Sequence, residues 1–376
     1  MKDRILAIMH LPPPDHGAGI VGLFIRKSRL INQSFDIDYI NLSTAANIPD
    51  IGKFNSLKFL VITKLWLKVL FSLLKRKYKI CYFTINASGS AWYKELVLVA
   101  LIKLCRVKLV YHYHNKGVVA NANNRFKKTL YRFQFKNTKV ILLSPLLYAD
   151  IANFVSKDNV YYCPNGIPDE NTVELNAVKK VEPIPPNSTV QILFLSNLFR
   201  SKGLYTLLEA CVILKQRKLA FKCVLVGAEG DILVLDLLEV IHQSNLEAHV
   251  KYLGKKYSLQ KNNILAETDI LAFPTFYEKE TFGLVNLEAM QFSKPVVTTN
   301  EGAIPDIVED GITGFLVPQK DAIALADKLE ILIKNPELRK LMGAQGRIKY
   351  ENYYTIKHFE ERMISIFNQI LNPKYD

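Results

Sequence analysis

Short apolar segments alternate with longer amphipathic segments along most of this chain. The segments Ile5–Met9, Ile80–Ile85 and Ile270–Phe273 have the length and composition of buried strands, and a further strand begins at Val190. Segments with apolar residues at helical spacing follow them. Because no internal repeat or low-complexity tract interrupts this alternation, the pattern predicts parallel α/β domains.

The length and one proline-rich segment predict how the chain divides. A chain of 376 residues is long enough for two domains with sizeable cores. The segment Lys179–Ser188 is rich in proline and lacks apolar periodicity, which is typical of a linker. We therefore predict one domain over residues 1–180, a second over 181–354, and a last helix, Thr355–Leu371, within the C-terminal residues 355–376.

Positive charge is concentrated in the first half of the sequence. Residues 1–180 contain 27 lysines and arginines against 11 acidic residues, whereas residues 181–376 contain 22 against 24. This asymmetry indicates an anionic surface or partner for the first domain. Nucleic acid is not predicted as that partner, because the charge is accompanied by neither a recognised binding motif nor an interleaved aromatic platform.

One basic segment of the first domain has two interpretations. Leu57–Lys79 is predicted as a helix with a broad apolar face, beside which lie Lys64, Lys68, Lys75 and Lys79. Such a helix can lie on an anionic membrane surface. It also leads into the strand Ile80–Ile85, so its apolar face can instead cover the first domain's sheet. The sequence leaves both interpretations open.

Cysteine usage and the N-terminal segment predict a cytoplasmic protein. The five cysteines are odd in number, scattered and without a C-x-x-C pattern, so no disulfide framework is expected. The apolar segment Ile5–Leu11 is short and ends at three prolines, unlike a signal peptide. No segment is long and apolar enough to span a membrane. The protein is thus expected to be soluble or peripheral.

The segment Phe273–Met290 carries the most informative candidate chemistry. Two of its carboxylates, Glu280 and Glu288, lie eight positions apart across the start of a helix that is predicted to open at Gly283. The free amides of the first turn and the helix dipole favour an anion at this point. Glu280 can then accept hydrogen bonds from sugar hydroxyls and Glu288 from a ribose, with a diphosphate between them. Taken alone, two glutamates at this spacing are more often solvated helix residues.

Other candidates follow predicted strands. Arg200 and Lys202 lie where the carboxyl edge of a parallel sheet collects ligands, and a diphosphate needs fixed cations; the alternative is that both are surface charges. His112 and His114 end the segment Lys108–His114 and alternate onto one side of a strand. A lone strand histidine is more often structural, and neither histidine is spaced with other ligands as a metal site requires.

The two glutamates resemble the E-x7-E pattern of the retaining glycosyltransferases of family four. Further motifs follow in the family's order over residues 190 to 320, namely Leu195–Gly203, Val226–Gly230, Ser293–Thr299, Gly302–Val308 and Gly311–Val317. Ala303 and Asp306 depart from the family's usual G-G-x-P-E turn, which puts the shape of the donor loop in question. The first half of the chain offers only single landmarks, which are Gly17–Gly19, His114 and Asn165-Gly166.

This resemblance implies a fold and a function. The fold is α/β and of the GT-B class, with two Rossmann-like domains facing each other across a cleft. The function is retaining transfer of a sugar from a UDP- or GDP-sugar to a glycan or lipid-linked acceptor in cell-envelope polysaccharide biosynthesis. The reaction is expected to need no cofactor and no metal, and to take place in the cytoplasm or at the cytoplasmic face of the inner membrane. The last helix is expected to cross back to the first domain.

The resemblance also assigns site residues. Arg200 and Lys202 bind the donor diphosphate, Glu280 orients the sugar and Glu288 binds the ribose. His114 lies on the acceptor side, together with the loop Gly17–Gly19, whereas His112 is expected in the core. The catalytic set is thus Glu280, His114, Arg200 and Lys202, and the ligand-binding set adds Gly17, Gly19, Gly227, Phe282, Gly283, Leu284 and Glu288.

Two other function classes stay open at this point. A nucleotide-sugar epimerase on the same fold would need an acid–base constellation that the sequence does not reveal. A non-enzymatic scaffold that binds membranes through its basic domain is disfavoured, because both glutamates and both cations of the pattern are present.

Overall fold

The computed structural model describes residues 2–13, 17–43, 56–171 and 189–372. The chain forms two compact units: Met1–Asn165 with Ile356–Asp376, and Gly166–Thr355. We call them the first and the second unit. The predicted linker Lys179–Ser188 lies outside the described residues. The first division falls after Asn165, earlier than the predicted limit at residue 180, because the segment that follows it is bonded to residues of the second unit.

Parallel strands form the sheet of the first unit. The strands are β1 (Arg4–Met9), β2 (Asp36–Asn41), β3 (Ile80–Phe83), β4 (Lys108–His112), β5 (Thr138–Leu142) and β6 (Val160–Tyr162). Their order in the sheet is β2-β1-β3-β4-β5-β6, and every adjacent pair is parallel. All four residues of β3 are buried, as expected for a strand covered on both faces. The carboxyl ends of β1, β3 and β4 therefore lie side by side at one edge.

The helices of the first unit connect and cover these strands. They are α1 (Gly17–Lys27), α2 (Arg29–Ser34), α3 (Ser56–Lys75), α4 (Gly89–Leu104), α5 (Val118–Asn121), α6 (Arg125–Phe135), and the 3-10 turns Pro145–Asp150 and Lys157–Asn159. Gly17 and Gly19 lie in the first turn of α1. Farther along α1, a Cβ on Gly22 would stand 2.1 Å from the carbonyl oxygen of His10, so glycine lets the helix approach the end of β1.

The helix predicted over Leu57–Lys79 is shorter than expected. It ends at Lys75, and the strand that follows ends at Phe83 instead of Ile85. Tertiary contacts explain the early end. The backbone amide of Lys79 donates to the carbonyl of Arg4, and the buried Tyr78 donates from its hydroxyl to Asp38 at 2.6 Å. Residues 76–79 thus form the connection that leads into β3 and do not continue the helix.

The chain's last helix, Ile356–Leu371, belongs to the first unit. Its Phe367 ring makes edge contacts with Phe35 and Tyr82, with centroids 5.6 Å apart in both pairs. Lys108 at the start of β4 donates from Nζ to the carbonyl of Ile370 at 3.1 Å. The buried face of this helix is therefore part of the first unit's core.

A second parallel sheet organises residues 166–355. Its strands are β7 (Val190–Leu195), β8 (Phe221–Val226), β9 (Val250–Tyr252), β10 (Ile270–Phe273), β11 (Val296–Thr299) and β12 (Gly314–Val317), in the order β12-β11-β10-β7-β8-β9. The predicted start at Val190 and both predicted bounds of β10 are confirmed. All four side chains of β10 are buried, as its uninterrupted apolar sequence requires.

Helices cover this sheet as well. They are α7 (Leu204–Gln216), α8 (Val234–Gln243), α9 (Ser258–Glu267), α10 (Leu284–Gln291), α11 (Ile304–Ile307), α12 (Ala322–Lys334), α13 (Pro336–Tyr353), and the 3-10 turn Arg200–Lys202. With these named, the last helix Ile356–Leu371 is α14. A continuous apolar core packs β7, β8 and β10 against α7 and α12. The segment after Asn165 is tied to α13, since Arg347 forms a two-pronged ion pair with Asp169 and Tyr350 donates to the carbonyl of Ile167.

The described residues contain no disulfide bond. Cys81, Cys163, Cys211 and Cys223 are buried as free thiols, and Cys105 is half-buried. Among the described helices, none combines the length and the apolar character needed to cross a bilayer.

Candidate functional site

Most of the predicted ligand-binding residues lie at the carboxyl edge of the second sheet. Arg200 and Lys202 follow β7, Gly227 follows β8, and Glu280 lies in the loop after β10. Parallel α/β sheets bind ligands at this edge because all strands direct their connecting loops there. The topology, in which β10 neighbours β7, accounts for the convergence of these loops.

Lys202 and Glu280 form an ion pair within this edge. Nζ of Lys202 lies 2.5 Å from Oε2 of Glu280, and the two side chains are only 17% and 13% exposed. The same ammonium lies 5.6 Å from the ring centroid of Phe273 and 4.6 Å from that of Tyr277. Aromatic faces and a carboxylate attract a partly desolvated cation, so they hold the Lys202 ammonium at one place.

Glycines allow the loops of this site to press together. A Cβ on Gly203 would stand 2.0 Å from the carbonyl oxygen of Pro274, and one on Gly302 would stand 2.4 Å from that of Glu280. Both residues have positive φ, at 82° and 57°, which L side chains rarely adopt. A Cβ on Gly227 would meet the carbonyl oxygen of Ser196 at 1.8 Å. Gly227 thus holds the loop after β8 against the loop after β7.

The helix α10 begins at the predicted place. Gly283 is its N-cap, with φ of 70° in the left-handed region, and Leu284 is its first residue. The first amides of an α-helix have no partner within the helix, and together with the helix dipole they favour an anion. The Phe282 side chain is buried with its ring edge-on to Tyr354, so Phe282 can meet a ligand only through its backbone.

Glu288, one turn further along α10, also has a basic partner. Nζ of Lys261, on α9, lies 2.9 Å from Oε1 of Glu288, and the two side chains are 28% and 18% exposed. Lys261 was not identified from the sequence, in which nothing relates it to a residue 27 positions away. The carboxylate keeps a second oxygen, so it can still accept a hydroxyl.

Asn286 is a further residue that the sequence did not single out. It is wholly buried in the first turn of α10, and its amide nitrogen lies 2.8 Å from where a Cβ on Gly283 would stand. Within the described part of the chain, neither polar atom of its amide has a hydrogen-bond partner. A buried side-chain amide without a hydrogen-bond partner is uncommon. In the sequence, only its position three residues after Gly283 marks Asn286 as a residue of interest.

Arg200 is the exposed cation of the site. Its guanidinium lies over the ring of Tyr205 at 5.1 Å from the centroid. Its backbone amide donates to Asp231 at 2.7 Å, which fixes the main chain while the side chain stays accessible to solvent. Arg200 and Lys202 therefore offer one exposed and one held positive charge on the same turn.

The remaining predicted residues, His114, Gly17 and Gly19, lie in the first unit. His112 is wholly buried, its Nδ1 is 2.7 Å from the hydroxyl of Tyr82, and burial lowers the pKa of His112 well below its usual range. His112 is thus a neutral core residue, as expected. His114 follows the end of β4, is half-buried, and has its ring centroid 4.2 Å from that of His112.

The described residues contain no group of three or more histidine, cysteine, aspartate or glutamate side chains that could hold a metal ion. The positive charge of the second-unit site comes from its own lysine and arginine side chains. The site as a whole thus offers positive charge, helix-terminal amides and carboxylates, which is a set of groups suited to a phosphorylated, hydroxyl-rich ligand.

Comparison with solved structures defines the class of fold. A glycosyltransferase from Rickettsia africae superposes with a TM-score of 0.76 at 21% identity over 99% of both chains. HepE from Anabaena, solved with UDP and glucose, superposes with a TM-score of 0.71 at 18% identity over 97% of this chain and 99% of its own. The fold is therefore GT-B, with two parallel α/β units.

Sequence comparison shows which proteins the chain is similar to. Residues 178–349, which lie mostly in the second unit, match the family described as glycosyl transferases group 1. A capsular polysaccharide biosynthesis glycosyltransferase of Staphylococcus aureus, CapM, is 29% identical over 188 residues. That alignment spans 49% of this chain and 47% of the relative, or about half of each.

Proposed function

We propose that this protein is a retaining glycosyltransferase that moves a sugar from a nucleotide-diphosphate donor to a glycan or lipid-linked acceptor. The observation that carries the proposal is the Lys202–Glu280 pair beside the N-terminus of α10. It combines a fixed cation, free helix-terminal amides and a carboxylate within one edge of the second sheet. Retention of anomeric configuration rests on the resemblance to family four.

The proposed chemistry is stabilisation of charge on the leaving diphosphate. Arg200, Lys202 and the amides at Phe282, Gly283 and Leu284 bind the diphosphate, and these groups gain most when charge grows in the transition state. Glu280 accepts from the sugar hydroxyls, and Glu288 accepts from the ribose. The diphosphate competes with Glu280 for the Lys202 ammonium, so donor binding frees part of the carboxylate for the sugar. Because protein cations bind the diphosphate, the reaction is proposed to be independent of metal ions.

The donor is proposed to be a UDP-sugar, with a GDP-sugar as the second choice. The support for uridine is the fold-level likeness to the Anabaena protein that was solved with UDP and glucose. The acceptor is proposed to be a cell-envelope polysaccharide precursor, since the S. aureus relative belongs to capsule biosynthesis. His114 and the first turn of α1 are proposed to line the acceptor side.

We also propose that the protein acts at an anionic membrane surface, through α3 and α4. On α3, Leu65, Val69 and Leu73 are buried, whereas Leu60, Leu67, Phe71 and Leu74 are 57%, 47%, 65% and 69% exposed. The exposed four repeat at helical spacing and form one stripe. The helix therefore buries one apolar face within the first unit and presents an apolar stripe to solvent, so it is compatible with both sequence interpretations.

The neighbouring helix α4 carries a second exposed apolar stripe. Helix α4 packs against α3, where the indole of Trp66 donates to the carbonyl of Lys94 at 3.1 Å. Its Tyr93, Val97 and Leu104 are exposed, again at helical spacing. The exposed Lys64, Lys68 and Lys75 flank the α3 stripe. Apolar stripes with lysines beside them fit the boundary between acyl chains and anionic headgroups.

Donor turnover tests the proposal. The full-length protein should bind UDP or GDP, and a panel of UDP- and GDP-sugars with an envelope glycan extract should release nucleotide from one donor and transfer its sugar. An epimerised donor formed without any acceptor would instead identify an epimerase. Failure of UDP, GDP and every donor in the panel to bind would contradict the proposed function.

A further inference from the structure

A buried carboxylate in the first unit has no part in the donor chemistry proposed above. Glu95, on α4, is wholly shielded from solvent, and burial raises its pKa to about 7. Its two oxygens accept from one residue, Asn86: Oε2 from the backbone amide and Oε1 from the side-chain amide, both at 2.7 Å. A buried carboxylate that binds one loop residue twice holds that residue firmly.

The Asn86 side chain also contacts residues of two neighbouring loops. Its Nδ2 also lies 3.3 Å from Nε2 of His10, and its Oδ1 accepts from Nδ2 of Asn115 at 3.1 Å. Asn115 in turn accepts at Oδ1 from the backbone amide of Ala87 at 2.8 Å. Both hydrogens of the Asn86 amide and its oxygen are thus engaged, so the amide has one orientation only.

The orientation of Asn86 decides the tautomer of His10. An amide nitrogen can only donate, so Nε2 of His10 accepts. An accepting Nε2 corresponds to the tautomer of His10 that carries its proton on Nδ1. The backbone amide of His10 is held as well, because it donates to the hydroxyl of Thr84 at 3.1 Å.

These loops all leave the same edge of the first sheet. His10 follows β1, Asn86 follows β3, and Asn115 follows β4 next to His114. The three strands are adjacent in the sheet, and their carboxyl ends form the edge at which α/β sheets bind ligands. His10, Asn86, Asn115 and His114 are each half-buried, as residues at the rim of a site are.

We propose that Glu95 is a positioning residue for an acceptor-binding edge of the first unit, which fixes Asn86 and through it the His10 and His114 loops. The inference rests on the proposed function, because it names the part of the first unit that receives the acceptor. A carboxylate suits the task because it accepts from two donors at once. Glutamine in its place would set an amide nitrogen against one of the Asn86 donors, which would break half of the contact.

Imidazole NMR and amide hydrogen exchange of the full chain test this assignment. In the wild type, the side-chain nitrogen signals of His10, identified with a His10→Gln variant, should show the Nδ1–H tautomer at mildly alkaline pH. In Glu95→Gln the pattern should change to a mixture of tautomers. The backbone amides of Asn86 and Ala87, which donate to Glu95 and Asn115, should exchange about tenfold faster or more. Asn86→Ala should give the same change at His10 without touching the carboxylate.

A matched control separates positioning from general loss of stability. Val99 lies one turn further along α4 and is equally buried, so Val99→Ala should lower stability but leave the His10 pattern and the Ala87 amide unchanged. The assignment is overturned if His10 and Ala87 are unchanged in both Glu95→Gln and Asn86→Ala, or if Val99→Ala reproduces their effects.

A parallel titration keeps this inference distinct from the proposed function. UDP should bind with the same affinity to wild type and to Glu95→Gln, since the assigned donor groups lie in the second unit. A wild type that binds neither UDP nor GDP would contradict the donor assignment, while the His10 and exchange results would still decide the role of Glu95.

Discussion

Lys202 and Glu280 are 78 positions apart in the chain, yet their charged groups lie 2.5 Å apart at the edge of the second sheet. The positive charge assigned to the donor diphosphate is thus already balanced by the carboxylate assigned to the sugar. A diphosphate that enters this site can pair with the Lys202 ammonium only if it displaces the Glu280 carboxylate from it. The two residues should therefore act in opposite ways on nucleotide binding, although both should serve transfer.

Removal of either cation should slow the reaction strongly. Arg200→Ala and Lys202→Ala are each expected to lower turnover by about 100-fold or more, since each deletes a preorganised charge that stabilises the leaving diphosphate. The exposed Lys279, in the loop after β10, provides the control, because Lys279→Ala removes a charge nearby without removing a site residue. Turnover within a few-fold of wild type in both site variants, with folding intact, would refute the diphosphate assignment.

The two glutamates should separate binding from transfer. Glu288→Gln should weaken UDP binding about tenfold or more, because a hydrogen bond to a charged group contributes about 1.5–3 kcal/mol. Glu280→Gln should slow transfer but bind UDP at least as well as wild type, because it releases Lys202 for the diphosphate. Calorimetric titration measures both effects, with the exposed Glu278→Gln as control. Equal UDP affinity in Glu288→Gln and wild type would contradict this division.

Chelation of metal ions should leave transfer unchanged. The diphosphate charge is assigned to Arg200, Lys202 and helix-terminal amides, so no divalent ion is needed to neutralise it. Nucleotide release should proceed at the same rate with and without EDTA. If EDTA abolished release and manganese restored it, the two cations would not be sufficient for the diphosphate.

The buried Glu95 should make stability depend on pH. Its pKa is raised from 4.5 to about 7 by burial, so between these values the folded state binds more protons than the unfolded state. The free energy of unfolding should therefore fall as pH rises through this window, and one pKa unit corresponds to about 1.4 kcal/mol. Urea unfolding from pH 5 to pH 8 should show this fall in wild type relative to Glu95→Gln. Other groups, among them His112, titrate in both proteins and cancel in the difference, so parallel curves would rule out the shift.

The elements of the second unit could be predicted because neighbouring residues encode them. Ile270–Phe273 is a short apolar segment that ends at Pro274, and its bounds as a strand were predicted without error. The start of α10 could be placed because Gly283 adopts a left-handed conformation that favours glycine. Local sequence therefore located the ends of the elements on which the candidate site is built.

The pairings within the site could not be predicted, because they join residues that are distant in sequence. Nothing near Lys261 indicates that it meets Glu288, and the Lys202–Glu280 pair depends on β7 and β10 being neighbours. The sequence around Glu95 does contain one local signal. Glu95 lies between Trp92 and Val99 at helical spacing, and both of these are wholly buried, so the face of α4 that packs inward includes a carboxylate.

The exposed apolar stripes of α3 and α4 should bind the protein to acidic membranes. The protein should co-sediment with vesicles that contain acidic lipid and not with neutral vesicles, since each lysine near an anionic surface contributes about 1 kcal/mol. Binding should weaken as salt rises, because the Debye length contracts.

Substitutions on α3 test which residues carry the binding. Replacement of Lys64, Lys68 and Lys75 together by glutamine should abolish vesicle binding. The same replacement of the exposed second-unit residues Lys218, Lys251 and Lys340 should not, although net charge falls equally. Phe71→Ser should weaken binding without any change of charge, because the Phe71 ring is 65% exposed on the stripe. A wild type that ignores acidic vesicles even at low salt would show that α3 only covers the sheet, and the positive charge of the first unit would then have to serve a phosphorylated acceptor.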